Sequence, residues 1–116
     1  VLRRTPTKGT LDRYGLTLEE WVGHLGLTVE EWQAGAPAPC PVCKREPPSG
    51  RYVTDHEHVR GWKDKPKDER RLFVRGVVCT VCNHYILTRY GTPAKHRGAA
   101  DYLERYENKK RGRYGG

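Results

Sequence analysis

The sequence predicts a small α+β domain organised on a bound metal ion. Three observations lead there. Cys40-Pro41-Val42-Cys43 and Cys79-Thr80-Val81-Cys82 are two CxxC pairs with 35 residues between them, strand-like segments lie in that interval, and a duplicated helix-start signature precedes it. The chain has 116 residues, one domain's worth, of which only 35% are apolar or aromatic, with no Met and a single Phe. A core this thin needs a staple. Zinc takes four thiolate or imidazole ligands in a tetrahedron, and each CxxC turn presents two sulfurs to one ion. Cys40, Cys43, Cys79 and Cys82 therefore form the candidate ligand set of one closed, structural zinc site. Disulfides are disfavoured, because secreted frameworks rarely pair two CxxC turns, and a thioredoxin-like redox role needs one CxxC in a βαβ setting.

The elements follow in order. Residues 1–15 hold Pro6, Gly9 and Gly15 with scattered charge and no apolar period, and read as a basic N-terminal arm. Leu16-Thr17-Leu18-Glu19-Glu20-Trp21 and Leu27-Thr28-Val29-Glu30-Glu31-Trp32 are near-repeats eleven residues apart. In each, the Thr can cap a helix, the Glu three residues on can reach back to it, and the Leu in front can act as a staple. Two short helices are expected within 16–36, with Trp21 and Trp32 as core anchors. Gly23 and Gly26 limit the first, and Gly35-Ala36-Pro37 ends the second.

The third unit, 37–91, carries both CxxC pairs. Arg51 to Val59 and Arg71 to Val78 read as strands, joined by an exposed charged loop from Gly61 to Arg70. Asn83 to Tyr90 looks helical and stops at Gly91. In the last unit, 92–116, Thr92 and Pro93 can start a helix whose apolar face, Ala99, Tyr102, Leu103 and Tyr106, is just wide enough to cover its own core. A solvated basic tail follows.

Charge points to the partner. The formal net charge is +8, and all of the excess lies after residue 43, where 18 basic side chains face nine acidic ones. Four zinc-bound thiolates cancel part of it locally, yet a positive field remains that suits a polyanion. No apolar run approaches the roughly 18–20 residues of a membrane span, and no secretory signal segment is present, so membrane and secreted readings are disfavoured.

The candidate chemistry lies between the knuckles. Asp55-His56-Glu57-His58 sits on the first strand and Asn83 follows Cys82 directly. A His can take a proton from water near neutral pH, while an Asp/Asn oxygen pair suits a hard divalent cation that neutralises phosphate charge. In this order, within a four-cysteine frame on a basic chain, the pieces suggest phosphodiester hydrolysis. In a regular strand Asp55 and His56 point to opposite faces, so serving one phosphate requires the strand to end, bend or bulge there. Candidate phosphate contacts are Arg70, Arg71 and Arg75, with Lys63, Lys65 and Lys67 in the loop.

Cys40-x-x-Cys43, Asp55-His56-x-His58, Arg75-Gly76-x-x-Cys79-x-x-Cys82-Asn83 and Ala100-x-Tyr102-Leu103 together resemble phage recombination endonuclease VII, among the HNH or His-Me finger nucleases. Tyr14-Gly15-Leu16-Thr17 and the repeated Leu-Thr-x-Glu-Glu-Trp are similar to that family's N-terminal helix, so the resemblance spans residues 14–104. It implies a zinc-bound ββα-metal finger with flanking helices. It implies His56 as general base, His58 as a second active-site histidine, and Asp55 and Asn83 as ligands of a catalytic Mg²⁺ or Mn²⁺. DNA is the implied substrate, with 5′-phosphate and 3′-hydroxyl products, in the cytoplasm of a bacterial or phage-infected cell. Val74 and Arg75 stand where ordinary HNH enzymes carry a strand Asn, and Ile86 where this branch can carry an acid. Because one His and one metal cut one strand per visit, the short segment after Leu103 suggests a nicking enzyme with little sequence preference, monomeric or a small homodimer. The alternatives are a dimeric Holliday-junction-resolving endonuclease and a non-catalytic zinc-ribbon module that binds DNA.

Overall fold

The computed structural model describes residues 3–88 and 91–113. Helix α1 (Lys8–Tyr14) begins where the Thr7 hydroxyl accepts from the Thr10 N–H, and ends at Gly15 in the left-handed conformation, φ +70°. This corrects the reading of the N-terminal arm as lacking regular structure. Gly15 is needed twice over: a side chain there would strain the backbone and would also lie 2.3 Å from the Lys67 carbonyl oxygen. α1 thereby packs closely on α4 (Lys67–Arg70).

Helices α2 (Leu18–Gly23) and α3 (Val29–Gln33) carry the two expected capping boxes, Thr17 with Glu20 and Thr28 with Glu31. Each box satisfies two backbone donors that a helix start leaves open, which lets helices of six and five residues persist when packed. Trp21 and Trp32 are buried as expected, edge to face with ring centroids 5.3 Å apart. Both rings also meet the edge of Tyr52, whose hydroxyl donates to the Ala38 carbonyl at 2.6 Å.

Strands β1 (Tyr52–His56) and β2 (Val74–Cys79) form a two-stranded antiparallel ribbon, both shorter than the sequence suggested. Such a ribbon is marginal alone and needs apolar cover. It has cover on both faces. Val77 packs with Leu16, Trp21, Val22, Trp32 and Ala38, while its neighbour Val78 packs with Cys40, Cys79 and Cys82. Consecutive valines in β2 thus serve two different cores, one built by the N-terminal helices and one by the cysteines.

The stretch from Gly61 to Arg70 is more ordered than an exposed charged loop. It holds a 3₁₀ turn (Trp62–Asp64) and α4, another 3₁₀ turn (Arg71–Phe73) leads into β2, and Trp62 is buried at 5% exposure. After Cys79 the chain turns into a π-helical segment, Cys82–Leu87. Arg89 and Tyr90, the end of the helix expected there, lie outside the described residues. Helix α5 (Pro93–Arg113) forms as expected, but its apolar face does not cover a core: Tyr102, Leu103 and Tyr106 are 67%, 59% and 64% exposed. Spacing revealed the face, and nothing among the described residues packs over it closely enough to bury it.

Because Trp21 joins helices to ribbon, through ring contacts and a 3.0 Å bond from its Nε1 to the Thr54 hydroxyl, Trp21→Ala is expected to cost about 3–5 kcal/mol. Denaturant unfolding of the zinc-loaded protein checks this; a loss below about 1 kcal/mol would show the helices to be mere decoration on a metal-held ribbon.

Candidate active site and metal centre

The four cysteines come from two turns. In the first, the Cys40 N–H donates to the Arg45 carbonyl and the Lys44 N–H to the Cys40 carbonyl, with Lys44 at φ +65° closing the turn tightly. In the second, at the end of β2, the Cys79 N–H donates to Cys40 Sγ at 3.3 Å and the Cys82 N–H to Cys79 Sγ at 3.4 Å. Backbone donors aimed at sulfur favour thiolate over thiol. Burial pushes the Cys40 thiol up, but backbone bonds from Cys43, Cys79 and Val42 outweigh it and bring Cys40 down to about 7, while burial raises Cys79 and Cys82. All four Sγ atoms lie within 4.8 Å of one another, and Cys43 and Cys79 are 3.9 Å apart. A tetrahedron with metal–sulfur bonds of about 2.3 Å has edges of about 3.8 Å, so this cluster can hold one zinc ion. All four cysteines are free of disulfides.

The ribbon changes register where the candidate residues lie. Asp55 pairs with Gly76 and His56 pairs with Val74, leaving Arg75 as the extra residue of a β-bulge. The register change falls between Asp55 and His56, with the extra residue on β2, and β1 ends at His56. Arg75 reaches Asp55 with two parallel bonds, Nε to Oδ2 at 2.9 Å and a terminal guanidinium nitrogen to Oδ1 at 2.8 Å. Asp55 is 6% exposed and the Arg75 side chain 43%, so the carboxylate is inside and the guanidinium at the surface.

His56 sits in an aromatic seat. Its ring stacks on Trp62 with centroids 4.3 Å apart, lies 5.5 Å from Tyr14, and is 4.7 Å from the exposed ring of His58. Burial and the neighbouring His58 hold His56 below the usual histidine range, against an opposing pull from Asp55. The shift favours the base form of the imidazole. An open groove of about 560 Å³ runs past both rings, lined also by Arg60, Trp62 and Lys63.

Asn83 is half-buried in the first turn of the π-helical segment, one residue after the buried Cys82, and Ile86 further along is exposed. The metal turn thus fixes the start of the element that carries Asn83. Among the basic candidates, Lys65, Lys67, Arg71 and Arg75 each have a carboxylate partner, respectively Glu69, Asp12, Glu20 and Asp55. Arg70 lies over the Trp62 ring at 5.7 Å, and Lys63 lies on the groove. The seat made by Tyr14 and Trp62, and the Arg75–Asp55 pair, were not foreseen. Gly61-Trp62 inside a charged stretch was the available signal for the first, and Arg75 opposite Asp55 becomes visible only once the bulge is known.

The structure is a basic α+β domain with a four-cysteine cluster able to hold a metal ion beside a strand that carries Asp55 and His56. The chain belongs to the recombination endonuclease VII family, whose model matches residues 19–105. It is accordingly a DNA endonuclease, and the matched span includes both cysteine pairs, Asp55, His56 and Asn83. No curated protein and no solved structure gives a significant match.

Proposed function

We propose that the chain is a divalent-cation-dependent DNA endonuclease of the HNH or His-Me finger type, with a structural zinc at Cys40, Cys43, Cys79 and Cys82. The family match across the knuckles and the Asp-His strand carries this reading. His56, in base form, accepts a proton from water as the water oxygen bonds to phosphorus. The bond from phosphorus to the 3′ oxygen breaks, and that oxygen takes a proton from solvent water while His56 later returns its own to solvent, giving 5′-phosphate and 3′-hydroxyl ends. His58 stands beside His56, the second histidine of the groove.

Asp55 and Asn83 offer a carboxylate and an amide oxygen, the donors that Mg²⁺ or Mn²⁺ prefers, so the donor chemistry fits a hard cation. Such a cation supplies charge neutralisation at the phosphate and the leaving oxygen. Lys63, Lys65, Lys67, Arg70, Arg71 and Arg75 are the proposed phosphate contacts. Exposed ion pairs of the Lys65–Glu69 and Lys67–Asp12 kind, at 3.9 and 3.8 Å, contribute at most about 1 kcal/mol, so exchanging the carboxylate for a DNA phosphate costs little. Asp55→Ala and Asn83→Ala are expected to raise the Mg²⁺ concentration for half-maximal cleavage about tenfold or more. A cation titration unchanged in both would remove them from the cation site.

Each site cuts one strand, which makes nicking with little sequence preference the basic activity. The exposed Tyr102, Leu103 and Tyr106 favour a second reading, in which two copies pair through α5 and act on both strands, as resolution of a four-way junction requires. Light scattering with a plasmid time course separates the two: a monomer accumulates nicked circles, whereas a stable dimer produces linear DNA directly. No helix among the described residues is long and apolar enough to cross a membrane. We place the protein in the cytoplasm of a bacterial or phage-infected cell, where thiols stay reduced for zinc.

A further inference from the structure

We infer that Arg75 is an exchangeable counter-ion: it holds the Asp55 carboxylate, yields it to a divalent cation, and then offers its guanidinium to a DNA phosphate, so that cation and DNA bind cooperatively. The inference rests on the proposed cation site and adds to it a residue that couples the two ligands.

Four observations carry it. First, Arg75 engages both Asp55 oxygens at once, so a cation can reach that carboxylate only by displacing at least one of two charge-assisted bonds. Second, the pair is lopsided, with a buried carboxylate and an arginine side chain that is 43% exposed. An arginine whose side chain is already partly in water has little further hydration to regain or lose when it lets go of the carboxylate, so it can turn outward at small cost. Third, Arg75 is the extra residue of the bulge and has no residue directly opposite it in the register, so its side chain reaches Asp55 diagonally rather than as a paired neighbour. Fourth, Gly76, which pairs with Asp55, has open space where a side chain would stand, so nothing from that position screens the carboxylate.

The energetics permit exchange. A hydrogen bond to a charged group contributes about 1.5–3 kcal/mol, and a hard dication bound to the carboxylate compensates for its loss. With Asp55 engaged by the cation, Arg75 loses its hydrogen-bonded carboxylate and keeps the attraction of nearby Glu57, to which it has no hydrogen bond; a phosphate that accepts two bonds is then its better partner. By linkage, whatever DNA gains from bound cation, the cation gains equally from bound DNA.

The test measures binding, not cleavage. Mn²⁺ affinity of the zinc-loaded protein without DNA is measured by calorimetry, and DNA affinity by anisotropy without added divalent ion. Arg75→Gln removes the competing charge and is expected to bind Mn²⁺ about ten- to a hundredfold more tightly than wild type. Asp55→Asn frees Arg75 and is expected to bind DNA several-fold more tightly, a gain that disappears in Asp55→Asn/Arg75→Gln. If Arg75→Gln fails to fold, as a buried unpaired carboxylate can cause, Arg75→Lys replaces it, with tighter Mn²⁺ binding again expected because a lysine cannot hold both oxygens. Unchanged or weaker Mn²⁺ binding in the folded Arg75 variant, while Asp55→Asn abolishes it, overturns the exchange and leaves the cation site standing. Mn²⁺ binding unaffected by Asp55→Asn overturns both.

Discussion

Replacing Cys79 by Ser is expected to unfold the ribbon and the segment that follows it, as well as to release the metal. Cys79 terminates β2, its N–H donates to Cys40 Sγ, and its own sulfur accepts from the Cys82 N–H and lies 3.9 Å from Cys43. One substitution therefore touches all three other ligands. Zinc binding contributes about 10–16 kcal/mol in small zinc modules, more than the total stability of about 5–15 kcal/mol typical of a domain. The second core of this chain, Cys40, Val78, Cys79 and Cys82, consists mostly of the ligands themselves, so little apolar packing remains to hold β1 against β2 without the ion. Circular dichroism and metal analysis of Cys79→Ser check this. A folded, metal-free variant with native stability would mean that the helical core alone supports the fold.

His56→Gln is expected to lower the single-turnover cleavage rate by about 10²–10⁴ while leaving DNA affinity within about a factor of two, because a general base acts in the transition state. Gln is the informative replacement: it keeps volume against Trp62 and Tyr14, where an alanine would open a gap in the seat. His58→Gln measures the share of the second histidine, whose ring is 4.7 Å from His56 but outside the Trp62 and Tyr14 stack. Wild-type rates in folded His56→Gln would remove His56 from the chemistry.

Much of the framework was legible because it rests on local chemistry. Thr17 with Glu20, and Thr28 with Glu31, are three residues apart and satisfy one another within a single turn, so their residue types suffice to place α2 and α3. The cysteine cluster was legible from spacing alone, since two turns that each present two sulfurs complete one tetrahedron. Helix α1 was missed, although Thr7 and Gly15 are a valid start and stop, because no residue of it is buried and the apolar period is absent. The burial of Trp62 was missed because the charges around it describe the surface of that segment and say nothing of the one side chain turned inward. At the candidate site, Asp55, His56, His58 and Asn83 could be singled out by type, but not the grip of Arg75 on Asp55. That contact depends on a one-residue register change, which exchanges the faces of every later side chain and leaves no compositional trace. On α5, periodicity identified the face of Tyr102, Leu103 and Tyr106 but could not tell whether the chain itself covers it.

The most direct measurement of the central claim is incubation of supercoiled plasmid with zinc-loaded protein, with and without Mg²⁺ or Mn²⁺, followed by gel separation and end-group analysis. Cleavage only when the divalent ion is present, to nicked or linear DNA ending in 5′ phosphate and 3′ hydroxyl, is the predicted result. Intact plasmid under all conditions despite tight DNA binding, or cleavage at full rate without any added divalent ion, would contradict it.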